Sequence, residues 1–403
     1  MTGFADVCFS GTGKDSLLAA ITEIDTHTVH EKIYGDEASF YAFYGRKRSD
    51  TDPHSIVYSF LKASRCRKGN GQKIKTKLVS FTFREGSEEM EYMEKLAATG
   101  IMITRGENEY MEMIGFSPAS MKEICGKAHI YEESASGNSC FRNLYIIERL
   151  LSPESTGRKK NWKKGLPAND IPSVDSLTFT IRDYGNSLGL RFIAGVTTDK
   201  FNKDKLENVF SVCCRIMSMD PTGGAEIGEW SAAGGVVTID ILFPGMKRAF
   251  SLTPETQVFL TPGIQIVDSD CGRSSWTVSS FVKTETGQKI LNTKRKRHDG
   301  NFNAEKESVA WMRDIFIPDI EDYFEQVRVA AGRTFEKEED AVSMIRAVGA
   351  EKCKKIGLKK FRIFESAALD RMKDCGGYNG LAAELCLIEA DAMIEEKEKA
   401  GGA

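Results

Sequence analysis

Between residues 174 and 291, β-branched and aromatic residues alternate with polar ones, and this two-residue period constrains the fold more than any other feature of the chain. In an extended strand, alternate side chains point to opposite faces, so such a period is typical of a half-buried sheet. Gly and Pro turns separate the alternating runs. The pattern predicts strands at residues 177–181, 236–243, 257–260, 264–267 and 276–282.

On both sides of this region, apolar residues recur at three- and four-residue steps, which indicates helices. We predict helices after an N-cap at Ser87, from Ser117-Pro118, over 141–151, and over 309–327 with a kink at Pro318. The segment 152–173 is rich in Pro, Gly and basic residues and is predicted to be a linker. The expected fold is α+β, with a mainly helical N-terminal domain (1–165), a β-rich central domain (166–300) and a helical C-terminal region (301–403).

Hydrophobic residues make up 41% of the chain and charged residues 28%, which is the balance of a globular protein. No apolar run is as long as a membrane span, and the N-terminus lacks a signal pattern. We therefore expect a soluble intracellular protein, cytoplasmic or nuclear, without a membrane partner. The ten cysteines are scattered and the five histidines do not cluster with them, so we expect reduced, mostly buried thiols and no metal site.

A glycine-containing segment near the N-terminus, Ser10-Gly11-Thr12-Gly13-Lys14-Asp15-Ser16, invites comparison with phosphate-binding loops. A Walker loop needs GxxxxGK followed by Ser or Thr, whose hydroxyl reaches the magnesium ion. Here the first glycine is misplaced, and Asp15 occupies the position of the hydroxyl residue. The segment also looks like the loop of ATP pyrophosphatases with one residue inserted. We expect a strand, a turn and a helix start without a nucleotide.

The central region carries a longer motif. Residues 236–243 form a predicted strand that ends in Phe243-Pro244-Gly245, and Glu255-Thr256-Gln257 leads into the next strand. This arrangement resembles the last third of an ADP-ribosyltransferase domain of the bacterial binary-toxin kind, in which an ExE motif precedes a strand. The resemblance is local and covers residues 140–290. It extends upstream to Arg182, at the end of a predicted strand, and to Ser218, at the position of a Ser-Thr-Ser strand.

The resemblance implies a role for each of these residues. Arg182 would hold the pyrophosphate of the cofactor NAD by paired charge-assisted hydrogen bonds. Ser218 would fix the catalytic glutamate, and Glu255 and Gln257 would complete the catalytic set that surrounds the nicotinamide ribose. Gln257 stands where the family has its final glutamate, and a neutral amide cannot offset the positive charge of an oxocarbenium ion. The resemblance thus implies an NAD-dependent transferase or a catalytically weak or inactive relative, and leaves open whether the chain is an enzyme.

The alternative is a structural RNA- or DNA-binding protein, such as a viral nucleoprotein or a capsid-associated protein. The net charge is −3, but basic residues cluster locally beside Gly, Asn and Ser, which predicts loops. These loops are either solvated separately or converge on one phosphate-binding groove. A scaffold or inner-capsid subunit is a third reading, and protein partners would be a substrate or a second copy of the chain. The candidate nucleic-acid contacts are Arg46, Lys47, Arg48, Arg65, Arg67, Lys68, Lys294, Arg295, Lys296 and Arg297.

Overall fold

A computed structural model of the chain describes residues 8–68, 71–105, 113–127, 140–152, 174–184, 191–198, 205–253, 255–298, 302–374, 378–391 and 393–394. Helices and strands are mixed along these residues, so the expected α+β class is confirmed. Two large sheets organise the described chain, one of eight strands and one of seven.

The eight-stranded sheet is built from β2 to β9 in the order β2-β8-β9-β7-β6-β3-β4-β5. Its neighbours pair antiparallel except β7 and β9, which run parallel. The strands are β2 (Thr28–Lys32), β3 (Ala38–Arg48), β4 (Ser55–Lys68), β5 (Gly71–Arg84), β6 (Ile101–Arg105), β7 (Ile114–Phe116), β8 (Leu177–Asp183) and β9 (Arg191–Thr198).

Helices cover both faces of this sheet. On one face, α2 (Glu88–Thr99) buries Met93 and Leu96 against aromatic residues of β3 to β5. On the other face, α3 (Pro118–Lys127) and α4 (Cys140–Leu151) close a second apolar layer. The predicted cap of α2 is confirmed, because the Ser87 hydroxyl accepts a hydrogen bond from the N–H of Met90 at 3.2 Å.

The seven-stranded sheet contains the first strand of the chain and six later ones. Its order is β1-β10-β11-β13-β14-β15, and β12 pairs with the first part of β13. The strands are β1 (Phe9–Thr12), β10 (Glu226–Ala233), β11 (Val236–Leu242), β12 (Arg248–Ser251), β13 (Gln257–Asp268), β14 (Trp276–Lys283) and β15 (Gln288–Lys296).

One face of the seven-stranded sheet packs against helices in the largest apolar core. The last helices form a smaller core of their own. Among the described residues, no helix combines the length and the apolar composition needed to cross a bilayer. The helices of this half are α1 (Lys14–Thr26), α5 (Leu206–Ser218), α6 (Ala304–Trp311), α7 (Ile317–Ala331), α8 (Glu338–Asp374, interrupted at Gly357) and α9 (Gly380–Ile388). A separate two-stranded sheet pairs β16 (Thr334–Phe335) with β17 (Tyr378–Asn379).

Several predicted elements are confirmed. Strands dominate 174–291, where α5 is the single α-helix among the described residues, and helices dominate after residue 304. The two strands predicted at 257–260 and 264–267 are one strand, β13, which continues through Pro262. The expected kink at Pro318 is a π-helical segment, Met312–Phe316, immediately before it, where the missing proline N–H interrupts the regular hydrogen bonding.

The prediction that helices dominate before residue 165 is wrong. The long strands β3, β4 and β5 occupy most of 38–84. Their lysines and arginines suggested loops, but the basic residues alternate with uncharged β-branched ones, as in Lys73, Ile74, Lys75, Thr76 and Lys77. This alternation is typical of a strand whose two faces differ, and here the polar face carries basic instead of neutral side chains.

The expected layout of three consecutive domains is not confirmed. The chain starts in the seven-stranded half with β1 and α1, builds the eight-stranded half from 28 to 198, and returns with α5. A boundary at 165 falls within the eight-stranded half, because β8 pairs with β2 and β9 pairs with β7. The predicted linker 152–173 lies almost wholly outside the described residues.

A buried ion pair joins the two halves. Arg182 of β8 donates to both carboxylate oxygens of Asp270, at 2.6 and 3.0 Å, and also to the hydroxyl of Thr28. The side chains of Arg182 and Asp270 are 2% and 1% exposed. Asp270 lies after β13 in residues 269–275, which we call the junction loop.

A second arginine of the junction loop extends the contact. Arg273 donates to the Glu123 carboxylate of α3 at 3.0 Å and to the backbone carbonyl of Ala194 in β9. A Cβ on Gly195 would collide with the Cβ of Cys271, so the loop can lie this close to β9 because residue 195 has no side chain. The junction loop is therefore held to the eight-stranded half by charge and by shape.

We predict that Asp270→Asn lowers the free energy of unfolding by about 3–5 kcal/mol, because it leaves the Arg182 guanidinium buried without a counter-charge. Denaturant unfolding measures the change. Glu325→Gln is the matched control, since it removes one charge from the exposed pair of Glu325 and Arg328 and should change stability little. Equal effects of the two substitutions would contradict the role given to the buried pair.

Candidate nucleic-acid interface

Arg182 makes the paired charge-assisted hydrogen bonds that the transferase resemblance implies, but it makes them with Asp270. The small cavity beside it has a volume of about 10 Å³, which is less than a pyrophosphate group needs. Within the described chain, Arg182 is thus a structural residue of the junction.

The other three residues of the expected NAD site lie elsewhere. Ser218 is exposed at the end of α5, whose first residue, Leu206, lines the cavity beside Arg182. A thirteen-residue helix spans about 18 Å. Glu255 and Gln257 are exposed at the start of β13, roughly 36 Å along that strand from the end that leads to Asp270. The structure does not bring these four residues together.

The glycine-containing segment near the N-terminus forms the expected strand, turn and helix start, β1 and α1. The Gly13 N–H is already bonded to the carbonyl of Ile227 at 3.2 Å. The indole of Trp230 packs on Gly11 and donates to the Ser16 hydroxyl at 3.0 Å. The backbone of Gly13 and the hydroxyl of Ser16 are therefore engaged in contacts with β10.

The basic cluster Arg46-Lys47-Arg48 lies on β3 and not in a loop. Each of the three side chains has an acidic partner. Arg46 contacts Glu94 at 2.6 Å, Lys47 contacts Asp50, and Arg48 contacts Glu85 at 3.3 Å. Local carboxylates therefore balance this cluster.

Arg65, on β4, is also committed to the fold. It donates to Asp175 and to the Leu151 carbonyl, both at 2.6 Å, and its side chain is 6% exposed. Arg67 and Lys68 follow at the end of β4, where their backbone pairs with Gln72 and Gly71 beside the hairpin turn.

The cluster Lys294 to Arg297 belongs to the other sheet, at and just beyond the end of β15. Lys294 and Lys296 contact Glu307 at 2.7 and 4.0 Å, and the hydrogen bond from Lys294 holds the pKa of Glu307 below its usual range. Arg295 points to the opposite face, and Arg297 is exposed. The basic clusters thus lie on strands of two different sheets.

The face of the seven-stranded sheet opposite its apolar core bears a polar cleft of about 580 Å³. Hydroxyl groups of Thr277, Ser279 and Thr293 line it together with Arg295. At its floor, the Gln265 amide donates to Asp240 at 2.9 Å, and burial raises the pKa of the Asp240 carboxyl.

A further basic region is the hairpin of β4 and β5, which we call the basic ribbon. Residues 53–84 include eight lysines and arginines and no aspartate or glutamate. β5 is the edge strand of its sheet among the described strands, so the ladder on its outer side has no described strand partner. Lys73, Lys75 and Lys77, which we call the lysine row, are exposed on one face of β5.

Within the described chain, none of the lysine row has a carboxylate partner. Lys77 lies directly across from Lys62 in the β4–β5 register. Like charges in this position destabilise a strand pair. The ammonium of Lys62 lies 5.5 Å from the ring centre of Tyr41, which stabilises one charge but does not neutralise either.

The sequence placed Lys73, Lys75 and Lys77 within a basic cluster, but they were not among the predicted contacts. Their alternation with Ile74, Thr76 and Leu78 was the available signal, since it puts all three charges on one face.

The sequence matches no family model and no curated protein, and no solved structure matches the chain. Among the described residues, no three His, Cys, Asp or Glu side chains come together in a way that could hold a metal ion.

We predict that neither the natural protein nor Gln257→Glu releases nicotinamide from NAD, because restoring the glutamate does not bring it to Arg182. Chromatographic detection of free nicotinamide after prolonged incubation measures this. Release by the variant alone would show that Gln257 lies in a working site and would reinstate the transferase assignment.

Proposed function

We propose that this protein binds nucleic acid through the phosphate backbone, with the basic ribbon as its principal contact surface. The observation that carries the proposal is the lysine row, three exposed like charges on one strand face without acidic partners in the described chain. An NAD-dependent transfer reaction stays a prediction from the sequence resemblance.

The geometry of the ribbon suits a linear polyanion. Alternate residues of a strand are about 7 Å apart, so the lysine row spans about 14 Å in a straight line. One B-form strand carries a phosphate about every 3.4 Å along the helix axis, so a row of this length can contact more than one phosphate. Binding would also relieve the repulsion between Lys62 and Lys77, because a phosphate supplies the missing negative charge.

The net charge of −3 does not oppose this proposal. At physiological ionic strength, charges more than about 8 Å apart on a surface are largely screened. A nucleic acid at the ribbon therefore experiences the local field of 53–84 rather than the charge of the whole chain.

Replacing Lys73, Lys75 and Lys77 together with glutamine should weaken binding and flatten its salt dependence. If each lysine neutralises one phosphate of a single strand, the slope of log affinity against log salt should decrease in magnitude by about 2. Fluorescence anisotropy with a labelled 20-nucleotide oligomer at 50–300 mM salt measures both quantities.

The matched control removes three exposed charges from α8, with Lys354→Gln, Lys359→Gln and Arg362→Gln combined. This variant changes the net charge by the same amount as the ribbon variant, but it should leave the slope of log affinity against log salt unchanged. Lysines on an edge strand also discourage edge-to-edge pairing. An unchanged slope in the ribbon variant, together with self-association, would show that this protective role is their only one.

A further inference from the structure

The polar cleft on the seven-stranded sheet has no part in the proposed function. Its volume of about 580 Å³ is typical of clefts that hold small molecules. Arginines line it at both ends, and no aspartate or glutamate is among the described residues of its wall. The other lining residues carry hydroxyl, amide or apolar side chains: Gln265, Val267, Ser274, Ser275, Thr277, Ser279, Ile290 and Thr293.

The two arginines of the cleft differ in their partners. Arg273 forms an ion pair with Glu123 at 3.0 Å and is committed to the junction. Arg295 of β15 is exposed, and no carboxylate of the described chain lies within ion-pair distance of it. Its neighbours Lys294 and Lys296 point to the opposite face of the strand, where they share a glutamate of α6. Arg295 therefore brings a positive charge to the cleft that no described acidic residue balances.

Strand pairing places three hydroxyl groups around this charge. Arg295 lies directly across from Thr277, and Thr293 lies directly across from Ser279. All four side chains line the cleft. Paired residues are about 5 Å apart and alternate residues of a strand about 7 Å, so the four stand at the corners of a rectangle of about 5 by 7 Å. A small ion at the centre of this rectangle is within reach of every corner.

The hydrogen bonds within the cleft leave donors for a ligand. The hydroxyls of Ser279 and Thr293 are 3.0 Å apart, so one donates to the other and the second proton is directed elsewhere. The Gln265 amide has two N–H groups and gives one of them to Asp240, which does not line the cleft. Together with the guanidinium of Arg295, these groups favour a ligand that supplies acceptor oxygens and negative charge.

We infer that the cleft binds a small phosphorylated molecule, with its phosphate group held by Arg295 and by the hydroxyls of Ser279 and Thr293. A phosphate monoester has three terminal oxygens, so it can accept paired hydrogen bonds from the arginine and still accept from a hydroxyl. A carboxylate has only two oxygens and lies in one plane. The rest of the ligand lies toward Gln265 and Ser275, where the cleft continues. This site is on the other sheet and is independent of the basic ribbon.

The test measures binding of inorganic phosphate and of ribose 5-phosphate to the full chain, with ribose as the uncharged counterpart. Isothermal titration calorimetry gives each affinity. We expect both phosphate probes to bind and ribose not to bind. Arg295→Gln should weaken the binding of ribose 5-phosphate at least about tenfold, because it removes a charged donor. Thermal unfolding should be unchanged, since Arg295 is exposed.

Two further variants separate the cleft from general surface charge. Arg297→Gln removes the same charge from an exposed arginine two positions away that does not line the cleft, and it should leave the affinity unchanged. Thr293→Val keeps the shape of an exposed side chain but removes its hydroxyl. This variant should weaken the binding of ribose 5-phosphate about threefold to tenfold.

Equal weakening by Arg295→Gln and Arg297→Gln would overturn the inference, because general positive charge would then account for the binding. An absence of binding by both phosphate probes would overturn it too, and so would equal binding of ribose and ribose 5-phosphate. Displacement of ribose 5-phosphate by an oligo-dT without terminal phosphates would assign the cleft to a nucleic-acid backbone and contradict a small ligand. The salt slope of the lysine row tests the proposed function separately.

Discussion

The fold depends on the contact between Arg182 and Asp270, because this ion pair is where the two sheets meet. An arginine buried to this extent is unfavourable unless its charge is matched and its hydrogen bonds are satisfied. The position of β8 is thereby coupled to the end of β13. Arg273 adds a second coupling, because it donates from the junction loop to Glu123 and Ala194 of the eight-stranded half. The junction loop thus accepts hydrogen bonds from one arginine of that half and supplies another arginine to it.

This arrangement also explains why the strongest sequence hypothesis selected Arg182. The motif required an arginine at a strand end that makes two parallel hydrogen bonds to an anion, and Arg182 does so. The anion is a carboxylate of the same chain, contributed by Asp270, 88 positions away. Local sequence indicates the chemistry of such a residue but not its distant partner, because nothing near Arg182 encodes the position of the junction loop.

Local signals predicted local structure well. The cap at Ser87 and the alternation in β11 and β14 depend on neighbours within a few residues, and each was predicted. The strands β4 and β5 were missed because dense positive charge resembles a loop when only composition is considered. Which basic residues are available for a partner could not be predicted at all, since the carboxylates that pair with Arg46 and Lys294 come from other elements.

The return of the chain to its first sheet has a consequence for biosynthesis. β1 forms its ladder with β10, whose residues are made more than 200 positions later. The complete eight-stranded half therefore emerges from the ribosome before β10, the partner of β1, has been made. That half has its own apolar layers, and sequential synthesis favours units that can fold as they emerge. The N-terminal segment must remain unpaired for most of translation, which makes closure of the seven-stranded sheet a late event of high contact order.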